Sequence, residues 1–307
     1  IVVADGRIRE VLPGGTAVPG ARDVVLAGHT CMPGWIDLHV HLSQESNPKS
    51  YEERFRLDDA DFAFRSVGYA DKTLRAGFTT VRDAGGADWG LAQAVERGLI
   101  RGPRLFFSGR VLSQTGGHGD FSPREDAPRL CACSIRSSGF SHVADGVDAV
   151  RKAAREELRR GAFQVKIMAS GGVASPTDPI WNLQYSLDEM RAIVEEAHGW
   201  RTYALAHAYT PEAITRAVRA GVRSIEHGNL IDAETAALMA REGAFLVPTL
   251  VTYFKIEELG RALGFPAVSQ RKVKDVLDAG LASLEIAKAA GVAIGFGTDL
   301  LGETHEH

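Results

Sequence analysis

The stretch QVKIMASGG (164–172) is an apolar run rich in strand-forming residues, and YALAHAY (203–209) and SIEHGN (224–229) follow it along the chain. Between the first two runs, Ser186 and Glu189 have the spacing of a capping box, which begins a helix. A repeated strand–helix order is typical of right-handed βαβ units in a parallel sheet. This part of the chain therefore predicts an α/β fold.

The same alternation extends toward both ends of the chain. From residue 35 onward there are eight short apolar runs, at 35–42, 79–85, 104–112, 164–172, 203–209, 224–229, 245–250 and 293–299. Helix signals stand between them: Thr210-Pro211 begins a segment that Gly221 ends, and Asp232 begins one that Gly243 ends. Eight βα units predict a closed, TIM-like (β/α)8 barrel, whose active site lies at the carboxyl ends of the strands.

The first thirty residues have a different pattern. A hairpin and a further strand are predicted by Val2-Val3, the turn Asp5-Gly6, Ile8 to Leu12, and Asp23 to Leu26. Because two hairpin strands alone are marginally stable, we expect them to join a C-terminal segment in a small β-sandwich appendage. The chain begins at Ile1 and stops soon after the last predicted strand, so truncation of both ends is expected. The predicted domains are 1–30, part of the sandwich, and 31–307, the barrel.

Composition excludes several classes of protein. Of the 307 residues, 45% are hydrophobic and 24% are charged, which is typical of a globular protein with a sizeable core. A net charge of −4 argues against nucleic acid or an anionic membrane surface as a partner. No apolar run approaches the roughly 20 residues that span a bilayer. Two long loops, 113–144 and 251–267, are predicted on the active-site face, where they would shape substrate specificity.

Three cysteines, Cys31, Cys131 and Cys133, are too few and too unevenly spaced for a disulfide framework. Their number favours a cytoplasmic location. Cys131 and Cys133 form a CxC pair that could bind a metal or oxidise, although ordinary loop residues are the favoured interpretation.

Polar side chains recur at the ends of the predicted strands. His39 and His41 are two residues apart in a strand, so both point to the same face. The others lie in or at the end of later strands: Lys166, His207, His227 and Asp299. A lone strand histidine is usually a hydrogen-bonded core residue. Burying four histidines, a lysine and an aspartate together without a metal or partners, however, costs several kcal/mol. Imidazole and carboxylate ligands suit zinc or another first-row divalent ion.

These motifs, in this order, resemble the amidohydrolase superfamily. The resemblance rests on PGWIDLHVHL (33–42), which contains an HxH pair, followed by VKIMASGG, AHAY, IEHG and GTD, and it covers nearly the whole chain. It implies a (β/α)8 barrel with a β-sandwich built from both termini. It also implies a hydrolase with a centre of two divalent metal ions.

The resemblance assigns a role to each of the six residues. His39, His41 and Asp299 would hold the buried metal ion, His207 and His227 would hold the exposed one, and carboxylated Lys166 would bridge the two. A free ammonium between two dications would be repelled, so a neutral amine or a carbamate is favoured there. The two ions would lower the pKa of a bridging water. Asp299 would take its proton and deliver it to the departing amine.

The substrate class follows from further similarities. KIMASGGVASPTDPI (166–180), GGHGD (116–120) and HAYTPEAI (207–214) are similar to an imidazolonepropionase-related subgroup of prolidases, carboxypeptidases and ochratoxin-type amidases. Lys166 argues against imidazolonepropionase activity itself, since those enzymes lack the bridging lysine. His118 and Tyr209 are the candidate substrate-binding residues. The alternatives are a solvent-exposed loop histidine and a tyrosine packed under a helix.

Three arginines could bind a substrate carboxylate. Arg82 ends the second predicted strand, and a structural link of Arg82 with Asp83 and neighbouring elements is an equal alternative. Arg110 and Arg124 lie in the predicted third loop, and the sequence does not favour one arginine over the others.

The favoured function is a metal-dependent hydrolase of a C-terminal amide, as an Xaa-Pro dipeptidase or a carboxypeptidase acting on a small molecule or dipeptide. The alternative enzyme is an amidase or cyclic-amide hydrolase on a non-peptide substrate, such as an N-acyl amino acid or an ochratoxin-like conjugate. A non-catalytic scaffold is a third possibility, but such relatives typically lose ligands that this chain retains. A homo-oligomer is expected.

Overall fold

The computed structural model describes residues 1–43, 59–122, 140–175 and 177–301. The chain divides into two compact units, Ile1–Pro33 and Gly34–His307. None of the described helices combines the length and apolar character that crossing a lipid bilayer requires.

The first unit contains the predicted hairpin. Strands β1 (Val2–Ala4) and β2 (Arg7–Glu10) pair antiparallel, and the turn between them places Asp5 and Gly6 at positive φ. The further strand predicted at Asp23 to Leu26 is wrong, because this segment pairs with no strand among the described residues. Its valines, Val24 and Val25, are exposed.

The second unit alternates strands and helices. Its strands are β3 (Trp35–Val40), β4 (Phe78–Asp83), β5 (Arg104–Phe107), β6 (Val111–Ser113), β7 (Ser141–Val143), β8 (Val165–Met168), β9 (Ala204–Ala208), β10 (Ser224–His227), β11 (Phe245–Val247) and β12 (Ala293–Ile294). Its described helices are α1 (Asp59–Arg75), α2 (Trp89–Glu96), α3 (Val147–Arg159), α4 (Leu187–Gly199), α5 (Pro211–Ala220), α6 (Ala233–Glu242), α7 (Leu250–Leu259) and α8 (Ala267–Ala289).

The strands of this unit pair in parallel in two sheets. One sheet has seven strands in the order β12-β11-β10-β9-β8-β6-β7, and the other has the order β3-β4-β5. The predicted α/β class with a parallel sheet is therefore confirmed. Backbone hydrogen bonds also connect the two sheets: Leu38 N–H donates to Phe296 O (2.9 Å), Asp299 N–H donates to His39 O (2.7 Å), and Phe163 N–H, two residues before β8, donates to Phe107 O on β5 (2.9 Å).

Three details differ from the sequence prediction. The single run at 104–112 forms two strands, because the chain turns at Gly109, whose φ is +73°. Strand β7 lies inside the predicted loop 113–144 and pairs with β6. The predicted loop 251–267 contains most of α7, which buries Tyr253 and Ile256 on one face.

Helix ends follow the sequence signals. Ser186 and Glu189 make the complete capping box at the start of α4. Thr210 caps α5 and Gly221 ends it in the left-handed conformation. Asp232 and Gly243 have the same two roles for α6. Each predicted boundary of α5 and α6 is therefore confirmed.

Alternation along the strands separates the core from the site. In β8, Val165 and Ile167 pack in the large core cluster with the helices, whereas Lys166 and Met168 line a cavity on the other side. In β9, Ala206 and Ala208 belong to the core, whereas His207 lines the cavity. The period of two in a strand thus determines which side chains reach the site.

Candidate metal centre

One cavity of about 110 Å³ collects the polar residues that the sequence singled out. It is lined by all six candidate metal ligands and both candidate substrate-binding residues: His39, His41, Lys166, His207, His227, Asp299, His118 and Tyr209. Four of these side chains lie in strands β3, β8, β9 and β10, and the other four lie in segments that follow strands, so only the fold brings them together.

The tightest group in the cavity is His39, His41 and Asp299. One ligand atom from each lies within 4.8 Å of the others. The Oδ1 atom of Asp299 is 3.7 Å from His39 Nε2 and 3.4 Å from His41 Nε2. Two imidazole nitrogens and a carboxylate oxygen converging on one point fit a divalent ion of the zinc type.

In three of the cavity's histidines, one ring nitrogen faces a carboxylate or a backbone carbonyl oxygen, which accepts a hydrogen bond. His39 Nδ1 lies 2.6 Å from Glu226 Oε2, His41 Nδ1 lies 2.8 Å from Gly85 O, and His207 Nε2 lies 3.1 Å from Gly171 O. Each of these nitrogens must therefore carry the proton, which leaves the other nitrogen of the ring with a free lone pair. The rings are thus oriented as ligands.

Burial favours the neutral form of three imidazoles in the cavity. It lowers the pKa of His39, His207 and His227 well below the ordinary value, and Lys166 and neighbouring histidines lower it further. Neutral imidazole is the form that binds a metal. His227 is 4.5 Å from His207, ring centre to ring centre, and its Nδ1 lies 2.7 Å from Thr249 Oγ1.

Lys166 is almost fully buried in the cavity wall. Burial lowers the pKa of its amine to about 8, against the opposing effect of the Glu226 and Asp299 carboxylates. A substantial neutral fraction near physiological pH is what reaction of an amine with CO2 requires. The environment of Lys166 is therefore compatible with a carbamate.

Two of the candidate ligands and a residue that contacts one of them have strained backbone conformations. His227 (φ +76°), Asp299 (φ +52°) and Thr249 (φ +47°) have left-handed backbone conformations, although none is a glycine. Such residues cost about 1–3 kcal/mol each and cluster at functional sites, where the surrounding structure holds them.

The two candidate substrate-binding residues are both buried. His118 is not a solvent-exposed loop histidine: it is 8% exposed and stacks on His207, with ring centres 4.3 Å apart. Its Nδ1 lies 3.1 Å from Asp178 Oδ2. Tyr209 contacts the rings of His207 and His227, and its hydroxyl is 2.8 Å from that of Tyr253. Tyr253 was missed by the sequence reasoning because its segment was predicted to be a loop.

A buried ion pair contacts the candidate metal ligand His39. Both Glu226 oxygens accept hydrogen bonds from Arg82 Nη2, at 2.7 and 2.8 Å, and Glu226 also accepts from Ser224 Oγ. Arg82 Nε donates to Leu38 O. Arg82 is therefore a structural residue whose partner is Glu226, whereas the Asp83 carboxylate accepts backbone N–H groups. The sequence analysis did not single out Glu226 as a partner of His39 and Arg82, although it directly precedes the candidate ligand His227.

None of the described residues among the other arginines and cysteines considered from the sequence lines the cavity. Arg110 pairs with Glu157 at 2.8 Å and does not line the cavity. Arg124, Cys131 and Cys133 lie outside the described residues. Cys31 is exposed and has a free thiol.

The carboxylate of Asp37 on β3 binds the residue that precedes Asp299. Asp37 Oδ2 accepts from Thr298 Oγ1 (2.6 Å), and Asp37 Oδ1 accepts from the backbone N–H of Thr298 (3.0 Å) and of His39 (2.9 Å). One buried carboxylate thus fixes the backbone next to two of the candidate ligands.

Residues 30–305 match the model of the amidohydrolase family. The chain belongs to the amidohydrolase family. The resemblance stated from the sequence motifs is therefore confirmed.

Similarity to individual amidohydrolases is extensive. A prolidase crystallised with N-methylphosphonate-L-proline is 54% identical, with a TM-score of 0.89 over 94% of this chain and 71% of that one. A Xaa-Pro dipeptidase crystallised with methionine is 32% identical, with a TM-score of 0.77 over 88% of this chain and 66% of that one. Ochratoxinase of Aspergillus niger is 33% identical over 87% of this chain, which spans only 57% of the length of that relative.

The Arg82–Glu226 pair gives a stability prediction for this amidohydrolase. Arg82→Leu is expected to lower the free energy of unfolding by about 3–5 kcal/mol, because it leaves the Glu226 carboxylate buried without its cation. Urea unfolding followed by circular dichroism measures the change. Arg75→Leu is the control, since Arg75 forms an exposed pair with Asp71 that should contribute at most about 1 kcal/mol. Equal losses for the two variants would contradict the prediction.

Proposed function

We propose that this chain is the catalytic part of a metal-dependent hydrolase that cleaves a C-terminal amide bond in a small substrate. The favoured form is a dipeptidase of the Xaa-Pro type or a related carboxypeptidase. The observation that carries the proposal is the convergence of His39, His41 and Asp299, whose ligand atoms lie within 4.8 Å of one another, in a cavity that also contains Lys166, His207 and His227.

The proposed framework is a closed (β/α)8 barrel. The hydrogen bonds between Leu38 and Phe296 and between Asp299 and His39 support closure on one side, and the bond between Phe163 and Phe107 supports it on the other. We further propose that the hairpin of residues 1–30 contributes to a β-sandwich, with the barrel domain in residues 31–307.

The donor set fits two divalent ions, for which zinc is proposed. His39, His41 and Asp299 would hold one ion and His207 and His227 the other, with Lys166, as a carbamate, bridging them. When bound, such ions supply a water of lowered pKa and polarise the carbonyl of the scissile amide.

The chain's own residues then carry the proton. The Asp299 carboxylate accepts it from the attacking water and delivers it to the nitrogen of the departing amine. His118, which stacks on His207, and Tyr209, which contacts His207 and His227, bind the substrate oxygens. Apolar side chains exclude water around them: Phe121, Phe140, Met168, Val173, Ile256 and Phe265.

Two relatives support two substrate classes. The prolidase with its proline phosphonate supports an Xaa-Pro dipeptide, and its 54% identity to this chain makes this the favoured class. Ochratoxinase supports an amidase acting on an N-acyl amino acid or an ochratoxin-like conjugate, and the phenylalanines of the cavity favour that as the second candidate.

The experiment is a hydrolysis screen of zinc-loaded protein in bicarbonate, against Xaa-Pro dipeptides, other dipeptides and N-acyl amino acids. We expect release of proline from the Xaa-Pro set, with loss of the activity after dialysis against a chelator. Release from the N-acyl set alone would favour the amidase. No release from any set, with metal bound, would contradict the proposal of C-terminal amide hydrolysis.

A further inference from the structure

The loop after β8 contacts two of the histidines in the cavity. We call residues 171–178 the β8 loop; all of them except residue 176 are described. At its start, Gly171 O accepts from His207 Nε2 at 3.1 Å. At its end, Asp178 Oδ2 lies 3.1 Å from His118 Nδ1. This loop therefore determines which ring nitrogen carries the proton in His207, a candidate metal ligand, and in His118, a candidate substrate-binding residue.

A buried lysine from α8 fastens this loop. The Nζ atom of Lys272 donates to Gly172 O at 2.8 Å, to Ser175 O at 2.7 Å and to Asp178 O. An ammonium group has three N–H donors, and here all three are directed at backbone carbonyls of the loop. Lys272 is 9% exposed, and no catalytic step assigned above uses it.

The Asp178 carboxylate connects the loop to His118. Its Oδ2 atom also accepts from Gly172 N–H (3.0 Å) and from Gln184 Nε2 (3.3 Å). Gln184 Oε1 in turn accepts from the backbone N–H of His118 at 2.8 Å. A Cβ atom at Gly172 would lie 2.2 Å from the His118 ring, so the ring rests directly on the loop backbone. Any shift of the loop must therefore move His118.

We propose that Lys272 and Asp178 are positioning residues of the active site, with Lys272 fixing the β8 loop and Asp178 fixing the orientation of the His118 ring. This inference rests on the proposed function for its effect on catalysis. Its structural part, the protonation and orientation of His118 and His207, is independent of the substrate. Groups that orient ligands in this way typically contribute about 10–100-fold to metal affinity or activity.

The first readout is the state of the histidine rings. In zinc-loaded protein with ¹⁵N-labelled histidine, two-bond ¹H–¹⁵N spectra identify the protonated nitrogen of each ring. We expect Nδ1–H on His118 and Nε2–H on His207 in the unaltered chain. Lys272→Met should shift or broaden both signals, whereas Asp178→Ala should alter His118 more than His207. Asp178→Asn keeps an acceptor oxygen and should restore the His118 signal.

The second readout is kinetic. For an Xaa-Pro dipeptide, Lys272→Met and Asp178→Ala should each lower kcat/KM by about 10–100-fold. For Asp178→Ala we expect the loss mainly in KM, because His118 is proposed to bind substrate. Asp178→Asn should recover part of it. Lys274→Met is the matched control, since Lys274 is an exposed lysine of the same helix and should change neither readout.

A purely structural role gives a different result. Lys272→Met would then lower the melting temperature while the His118 and His207 signals and the KM of the folded protein stay unchanged, and this would overturn the proposal. If Lys272→Met does not fold, unchanged ring signals and KM in Asp178→Ala would overturn it as well. If the unaltered chain hydrolyses no amide, the proposed function fails, but the ring signals still decide the positioning roles.

Discussion

Asp299→Asn is expected to lower kcat by about 10²–10⁴-fold while leaving the fold intact, because an amide cannot take and return the proton that the carboxylate is proposed to carry. The environment supports this role. Burial raises the pKa of Asp299 to about 7, helped by the Asp37 and Glu226 carboxylates and opposed by Lys166. The metal-free site therefore favours a proton on Asp299 more than water does. Steady-state kinetics with an Xaa-Pro dipeptide measure the loss.

Bound zinc must be measured in the same samples, since Asp299 is also a proposed ligand. Asp275→Asn is the control, because Asp275 is an exposed aspartate on α8 and should retain full activity. If Asp299→Asn binds zinc normally and keeps near-normal kcat, the proposed proton role is wrong.

Lys166→Ala is expected to reduce bound zinc below two ions per chain and to lower kcat at least about 100-fold. It would remove a direct bridging ligand, whereas loss of an outer partner alone already costs about 10–100-fold. Short carboxylic acids such as acetate or propionate should restore part of the activity, because their carboxylate can take the place of the carbamate. Metal analysis and kinetics with and without added acid measure both effects.

Lys152→Ala serves as the control for this variant. Lys152 is an exposed lysine on α3 that does not line the cavity, and its loss should have no effect that acid can reverse. Binding of two zinc ions and normal turnover in Lys166→Ala would contradict the carbamate proposal.

The features predicted from the sequence are those encoded locally. The caps of α5 and α6 are set by Thr210, Gly221, Asp232 and Gly243, each of which acts on its own turn of helix. The convergence of the histidines was predictable because parallel strands in such a fold end on one side, and each histidine stands in or just after a predicted strand. The family motifs added the expected role of each residue.

The features missed depend on contacts between distant parts of the chain. Arg82 and Glu226 are 144 residues apart and meet only through the fold. In the sequence, Lys272 has no feature that distinguishes it from the other polar residues of its helix. Only the structure shows that its ammonium group donates to carbonyl oxygens of the β8 loop. The strand predicted at Asp23 to Leu26 was wrong because strand propensity alone does not supply a pairing partner.

The central claim is that amide hydrolysis depends on metal held by the clustered histidines, Lys166 and Asp299. The most direct test is a zinc titration of metal-free protein in bicarbonate, with bound zinc and proline released from an Xaa-Pro dipeptide measured in the same samples. We predict two tightly bound ions per chain, with hydrolysis that rises as the sites fill and disappears when a chelator empties them. Full hydrolysis by metal-free protein, or tight binding of two zinc ions unaffected by His39→Ala and His207→Ala, would contradict the account.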